Sequence, residues 1–186
     1  PNNVIMMNPE FVDPIEWESI VKKVDSDFGV GTMKALVRGL IPVVMDHNNI
    51  RSFYLIPIDW AESVREGFPN FDIRLLGLWL GDLSKGRLRL SLPILEQLSK
   101  QTENILVVST HGAELFTYGR SILKEGVVSL KPSLKRGQRV IVKDQEGNVL
   151  GLAMLVVDGF MRTRIGKEKL VAKNLVDIGW FIRRMA

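Results

Sequence analysis

The 186-residue sequence contains no cysteine, only two histidines, and few aromatic rings (8%). The absence of cysteine excludes a disulfide framework and any thiolate zinc site. Two histidines argue against a multi-histidine metal centre. No apolar run reaches the roughly 18 residues that a membrane-spanning helix needs, and no signal-peptide pattern opens the chain. The expectation is a cytoplasmic protein with no membrane partner. Gly29-Val30-Gly31-Thr32 lacks the lysine of a phosphate-binding loop, and Gly29 reads as a helix C-cap. There is no Gly-x-Ser-x-Gly elbow. His47 falls in an Asp/Asn turn and His111 at a strand end. Neither has a recognisable nucleophile partner, so both read as turn or loop histidines. No catalytic residue, metal ligand or cofactor is expected.

Hydrophobic residues make up 46% of the chain and charged residues 25%, a balance that buries a core rather than leaving the chain disordered. The net charge of +4 is unevenly spread. Residues 1–104 carry 11 Lys/Arg against 14 Asp/Glu, whereas residues 105–186 carry 14 against 7. An acidic first half and a basic second half suggest two domains, the second facing an anionic partner such as a phosphate backbone.

Asp13-Pro14 predicts a helix start with Asp as N-cap and Pro in the first turn, and the helix should run to about Asp27. A short helix over Thr32–Arg38 follows. Ile41–Met45 and Ile50–Ile56 read as a hairpin turning at Asp46-His47-Asn48-Asn49. Asp59 should cap a helix from Trp60 to Glu66. Ile73–Leu83 reads as a bent strand containing Gly77 and Gly81, followed by a turn into Leu88–Leu90. Ser91 should cap a helix through Lys100. This first region is therefore α+β with a mainly antiparallel sheet.

Beyond Asn104 the pattern changes to short strands with Gly turns, the signature of a small barrel-like sheet. Strands are expected at Ile105–Val108, Val127–Leu130, Arg139–Lys143, Val149–Val157 and Lys169–Val171. A short helix is expected over Arg120–Lys124, and a closing helix or ordered tail over Asp177–Arg184, with Asp177 reading as a helix cap.

Basic residues cluster in this second region. Arg162, Arg164, Lys167, Lys169 and Lys173 fall within twelve residues, with Glu168 the only acid among them. Lys131, Lys135, Arg136 and Arg139 form a second group, and Arg120 with Lys124 a third. The alternation of Lys167 and Lys169 would place both on one strand face, where they would track phosphates. Tyr118, Trp180 and Phe181 are candidates to stack on bases, although Trp180 and Phe181 read more naturally as core.

The stretch His111-Gly112-Ala113-Glu114-Leu115-Phe116-Thr117-Tyr118-Gly119-Arg120-Ser121-Ile122-Leu123-Lys124-Glu125-Gly126-Val127 resembles the opening of a PUA domain. It is similar in particular to the Nip-seven family of large-ribosomal-subunit biogenesis factors. Leu75-Leu76-Gly77-Leu78-Trp79-Leu80-Gly81 and Val149-Leu150-Gly151-Leu152-Ala153 resemble two strands of that family. Lys173 to Arg184 resembles the close of its archaeal members. Leu170 and Val176 depart from the pattern, standing where archaeal relatives can carry a base, and Gly77-Leu78-Trp79 replaces a Gly-Thr.

The resemblance implies an α+β protein: an N-terminal α/β domain over residues 1–102 and a C-terminal PUA pseudo-barrel over 103–186. It implies a non-enzymatic RNA-binding factor for pre-ribosomal RNA processing, binding single-stranded U- or A/U-rich RNA. Ribosome-assembly proteins would dock on the N-terminal domain. Lys169 and Lys173 fill the family's RNA-contact positions. Together with the basic clusters, the expected RNA-binding set is Arg120, Lys124, Arg162, Arg164, Lys167, Lys169 and Lys173. Two other readings fit a PUA protein: an accessory subunit of an RNA-modifying enzyme, and a translation factor acting on the small subunit or tRNA.

Overall fold

The computed structural model describes residues 8–68, 73 and 76–185. The chain divides into two compact units, residues 1–26 with 30–94 and residues 27–29 with 95–186.

The first unit is built on a five-stranded antiparallel sheet in sequential order. Its strands are β1 (Glu10–Phe11), β2 (Leu40–His47), β3 (Ile50–Pro57), β4 (Leu78–Ser84) and β5 (Arg87–Leu90). The helices are α1 (Pro14–Phe28), α2 (Thr32–Leu36) and α3 (Ala61–Glu66). Asp13 caps α1 as expected, its Oδ1 accepting from the backbone N–H of Ile15 at 2.9 Å and of Glu16 at 3.2 Å. Arg51 then ties α1 to the sheet, donating to both carboxylate oxygens of Glu16 at 2.9 and 2.8 Å. That bond, against an opposing desolvation, raises the guanidinium pKa above its ordinary value.

The β2–β3 hairpin is tighter than the sequence suggests. Asp46 and His47 belong to the strand, and only Asn48 and Asn49 turn the chain, with φ of 48° and 63°. Two left-handed residues give a turn whose twist matches that of the flanking strands. Asp59 does not cap α3. A 3-10 turn over Ile58–Trp60 leads into the helix, Trp60 holds the N-cap position, and no side chain caps it. The expected strand from Ile73 begins at Leu78 instead, and residues 74 and 75 lie outside the described residues. Val43, Met45, Tyr54, Ile56, Val64 and Leu76 form a core of this unit. Ser91 accepts from the N–H of Ile94, inside α4 (Leu92–Leu98), at 3.3 Å.

The second unit holds a six-stranded sheet of barrel-like topology in the order β7-β11-β10-β9-β6-β8. The strands are β6 (Ile105–Val108), β7 (Ile122–Leu123), β8 (Val127–Leu130), β9 (Arg139–Lys143), β10 (Val149–Leu155) and β11 (Leu170–Asp177). All neighbours are antiparallel except β6 and β9. The core lies inside the curved sheet, with Leu106, Phe116, Val140, Val142, Ala153, Leu155, Val171 and Ala172 among its buried side chains.

Two helices complete the unit, α5 (Thr110–Thr117) and α6 (Ile178–Met185). The expected helix at Arg120–Lys124 is therefore displaced. Ser109 caps α5, its Oγ accepting from Gly112 N–H at 3.1 Å, so the helix starts and ends earlier. Ile122 and Leu123 are drawn into the sheet beside β11, and Lys124–Gly126 is a 3-10 turn. The last strand is longer than the Lys169–Val171 segment expected. Asp177 caps α6 as anticipated, accepting from Trp180 N–H at 2.9 Å. Among the described residues no helix is long and apolar enough to cross a membrane.

Candidate nucleic-acid interface

A concavity of the second unit lies between α5 and the segment 120–126. It is a cleft of about 520 Å³, with His111, Leu115, Arg120, Ser121 and Glu125 on its walls. Its shape depends on two glycines that let backbone approach backbone. Ser109 N–H donates to the Gly126 carbonyl at 2.9 Å. A Cβ on Gly112 would lie 2.9 Å from that same carbonyl oxygen. The first turn of α5 thus rests directly on the 3-10 turn at Lys124–Gly126.

Asn174, on β11, braces the chain behind the cleft wall. Its Nδ2 donates to the Phe116 carbonyl at 3.0 Å and more weakly to the Arg120 carbonyl at 3.4 Å. These bonds hold the exit of α5 and the start of the cleft wall to the sheet. The cleft offers an apolar wall at Leu115, hydroxyl groups, a histidine, a cation at Arg120 and a carboxylate at Glu125. That mixture suits the edges and faces of an uncharged ring.

The seven expected RNA-contact residues fall into distinct environments. Arg120 is exposed on the cleft wall. Lys124 points the other way: its Nζ donates to the Ile165 carbonyl at 2.6 Å, and the side chain is half-buried. Arg162 is also half-buried, with Nη2 on the Val128 carbonyl at 3.0 Å. Lys167 and Lys169 are exposed but not on a strand. Gly166 opens a turn, and Lys169 N–H donates back to its carbonyl at 3.0 Å. That local bond defeats the strand-like alternation of the sequence. The turn is nevertheless placed against the cleft wall, because the Lys167 and Lys169 carbonyls accept from Glu125 and Lys124 N–H at 3.0 and 2.9 Å. Lys173 is exposed on β11, opposite Met154. Arg164 is exposed and sits over the Phe160 ring, 5.5 Å from its centroid.

Of the aromatic candidates, Phe181 is buried and Trp180 packs edge-on against it with centroids 5.0 Å apart. Tyr118 is 76% exposed. Sequence reasoning did not single out Leu115, Glu125 or Asn174 for the site. The paired glycines at 112 and 126 were the signal that two segments meet there. Among the described residues no group of three or more His, Asp or Glu side chains converges as a metal site would require.

Residues 104–186 match the family model described as the UPF0113 PUA domain. Residues 104–186 thus form a PUA domain, a fold known for RNA binding. Solved structures extend the likeness to nearly the whole chain. One is a conserved PUA domain protein from Thermoplasma acidophilum, 17% identical, covering 96% of this chain and 100% of its own, with a TM-score of 0.63. A hypothetical protein from Pyrococcus horikoshii OT3 is 12% identical over 94% of this chain and 98% of its own, at 0.62. A PUA domain from Aeropyrum pernix K1, solved as a tartrate complex, is 13% identical over 96% and 91%, at 0.61. At these identities the likeness is one of fold. A glutamate 5-kinase from Aquifex aeolicus is 35% identical over 68 residues, which is 37% of this chain and 19% of the kinase. The chain therefore spans about a fifth of that relative's length.

Proposed function

We propose that this chain is an RNA-binding protein without catalysis of its own. In this reading it holds single-stranded U- or A/U-rich RNA on its PUA domain and serves large-subunit ribosome biogenesis in the cytoplasm. Pre-ribosomal RNA is its ligand. Residues 103–186 form the RNA-binding part, and residues 1–102 dock a ribosome-assembly protein. The observation that carries the reading is the cleft beside α5 within a PUA fold, flanked by the exposed Arg120 and by the Lys167–Lys169 turn. The +7 balance of residues 105–186 supports it, since neutralised phosphates release counterions.

The test is fluorescence anisotropy of the full chain with uridine-rich and cytidine-rich single strands across a salt series. Wild type is compared with Arg120→Glu/Lys167→Glu/Lys169→Glu. Salt-sensitive binding that prefers the uridine-rich strand and collapses in the triple variant is the expected result. Absence of binding to either strand at low salt would overturn the reading. Sedimentation with large-subunit precursors, rather than with small subunits or a modifying enzyme, is the expected cellular counterpart.

A further inference from the structure

Phe160 is 40% exposed, yet the backbone beneath it is firmly held. It lies in the 3-10 turn Gly159–Thr163, and that turn is bonded to the basic loop 131–137. Gly159 N–H donates to the Leu134 carbonyl at 2.7 Å, and Arg136 N–H donates to Asp158 Oδ1 at 2.9 Å. Gly159 is required for this contact, because a Cβ there would collide with the Lys131 carbonyl oxygen. A fixed scaffold therefore presents an aromatic ring to solvent.

Two cations face that ring. Lys135 Nζ stands 5.4 Å and the Arg164 guanidinium 5.5 Å from its centroid. Cation–π attraction accounts for either contact alone. Together the two like charges repel across one ring, and an anion placed beside them relieves that repulsion. Among the described residues Lys135, Arg136 and Arg164 form no ion pair, and Asp158 is the only acid within 131–136 and 158–164. Lys124 Nζ bonds the Ile165 carbonyl and Arg162 Nη2 bonds the Val128 carbonyl, so the segment bearing Phe160 is tied to the turn at Lys124–Gly126 that forms the cleft wall and to strand β8 that follows it.

We infer that Phe160, Lys135 and Arg164 form a second contact for the same RNA strand. An unpaired base stacks on the Phe160 ring in place of one of the two cations, and the displaced cation meets the adjoining phosphate. This inference rests on the RNA-binding reading. A strand long enough to leave the cleft would meet the platform, whereas a short one would fill the cleft alone. Stacking on aromatic rings and guanidinium planes tolerates any base, so this contact adds affinity without adding sequence preference.

The test uses the full chain and labelled oligouridines of about 5 and about 12 nucleotides, read by anisotropy. Phe160→Ala and Phe160→Leu are expected to weaken the longer strand about tenfold, the scale of one lost base stack. They should leave the shorter strand unchanged, and Phe160→Tyr should bind like wild type. Lys135→Glu/Arg164→Glu should lower the salt slope for the longer strand only. Thermal unfolding of each variant controls for folding, and Phe160→Leu retains apolar bulk while removing the ring. If Phe160→Ala and Phe160→Leu bind both strands as wild type does, the second contact is overturned and the RNA reading stands. Equal weakening for both lengths also overturns it, placing the ring's effect in the cleft. If wild type binds neither strand, the RNA reading and this inference fall together.

Discussion

Lys124 and Lys169 carry the same charge and share a backbone hydrogen bond, yet their side chains do different work. Lys124 Nζ is committed to the Ile165 carbonyl at 2.6 Å, and the side chain is half-buried. Lys169 contributes its backbone carbonyl to the turn contact and leaves its side chain in solvent. Removing a charged donor from a part-buried carbonyl costs about 1–3 kcal/mol. Substitution of an exposed lysine stays within about 0.5 kcal/mol. Lys124→Met is therefore expected to lower urea-unfolding stability by about 1–3 kcal/mol. Lys169→Glu should leave stability nearly unchanged while weakening RNA binding. Loss of RNA affinity in a fully stable Lys124→Met protein would instead assign Lys124 to the ligand. Arg162, held on the Val128 carbonyl, belongs with Lys124. Arg120, Lys167 and Lys173 belong with Lys169 by exposure.

At the scale of elements, the β9–β10 hairpin shows how one carboxylate organises a turn. Asp144 Oδ1 accepts from the N–H of Glu146 at 3.0 Å and of Asn148 at 2.8 Å, and Oδ2 accepts from Asn148 Nδ2 at 2.8 Å. Desolvation alone would raise this carboxyl, but the bonds from Asn148, Glu146 and Gly147 outweigh it and hold the pKa below its ordinary value. A depressed folded pKa contributes stability above the unfolded value of about 3.9 and loses it as pH falls through the folded one. Asp144→Asn should therefore flatten the acid limb of the stability curve below about pH 5, and urea unfolding at pH 3 and pH 7 measures it. An acid limb identical to wild type would remove Asp144 from the account.

This hairpin was legible because alternating apolar strands flank Gln145-Glu146-Gly147-Asn148, all of it local information. Helix α5 was misplaced because Thr110, His111 and Gly112 are poor helix formers. The element depends instead on the Ser109 cap and on the approach of Gly112 to Gly126. The Lys167–Lys169 turn was read as a strand because alternation says nothing of the Gly166 bond. For the same reason the basic residues of the site were visible in the sequence, but the cleft was not. Its walls come together only when α5, the 120–126 segment and Asn174 are folded.

For the whole molecule, a net charge of +4 understates the field an RNA strand would meet, because the surplus lies in residues 105–186. Binding to a single strand should follow the local count of phosphate contacts and not the overall charge. Three exposed cations around the cleft, Arg120, Lys167 and Lys169, would give a slope of log affinity against log salt of roughly −2, at about 0.7 per contact. Lys34→Glu, an exposed change in the first unit, lowers the net charge as much as any single reversal in the second. It should nevertheless leave the slope unaltered. Lys169→Glu should reduce the slope by about one contact's worth. The pair of variants separates a placed phosphate track from attraction to the molecule as a whole. Equal loss of slope in both would mean that long-range charge, and not the surface beside α5, draws the RNA in.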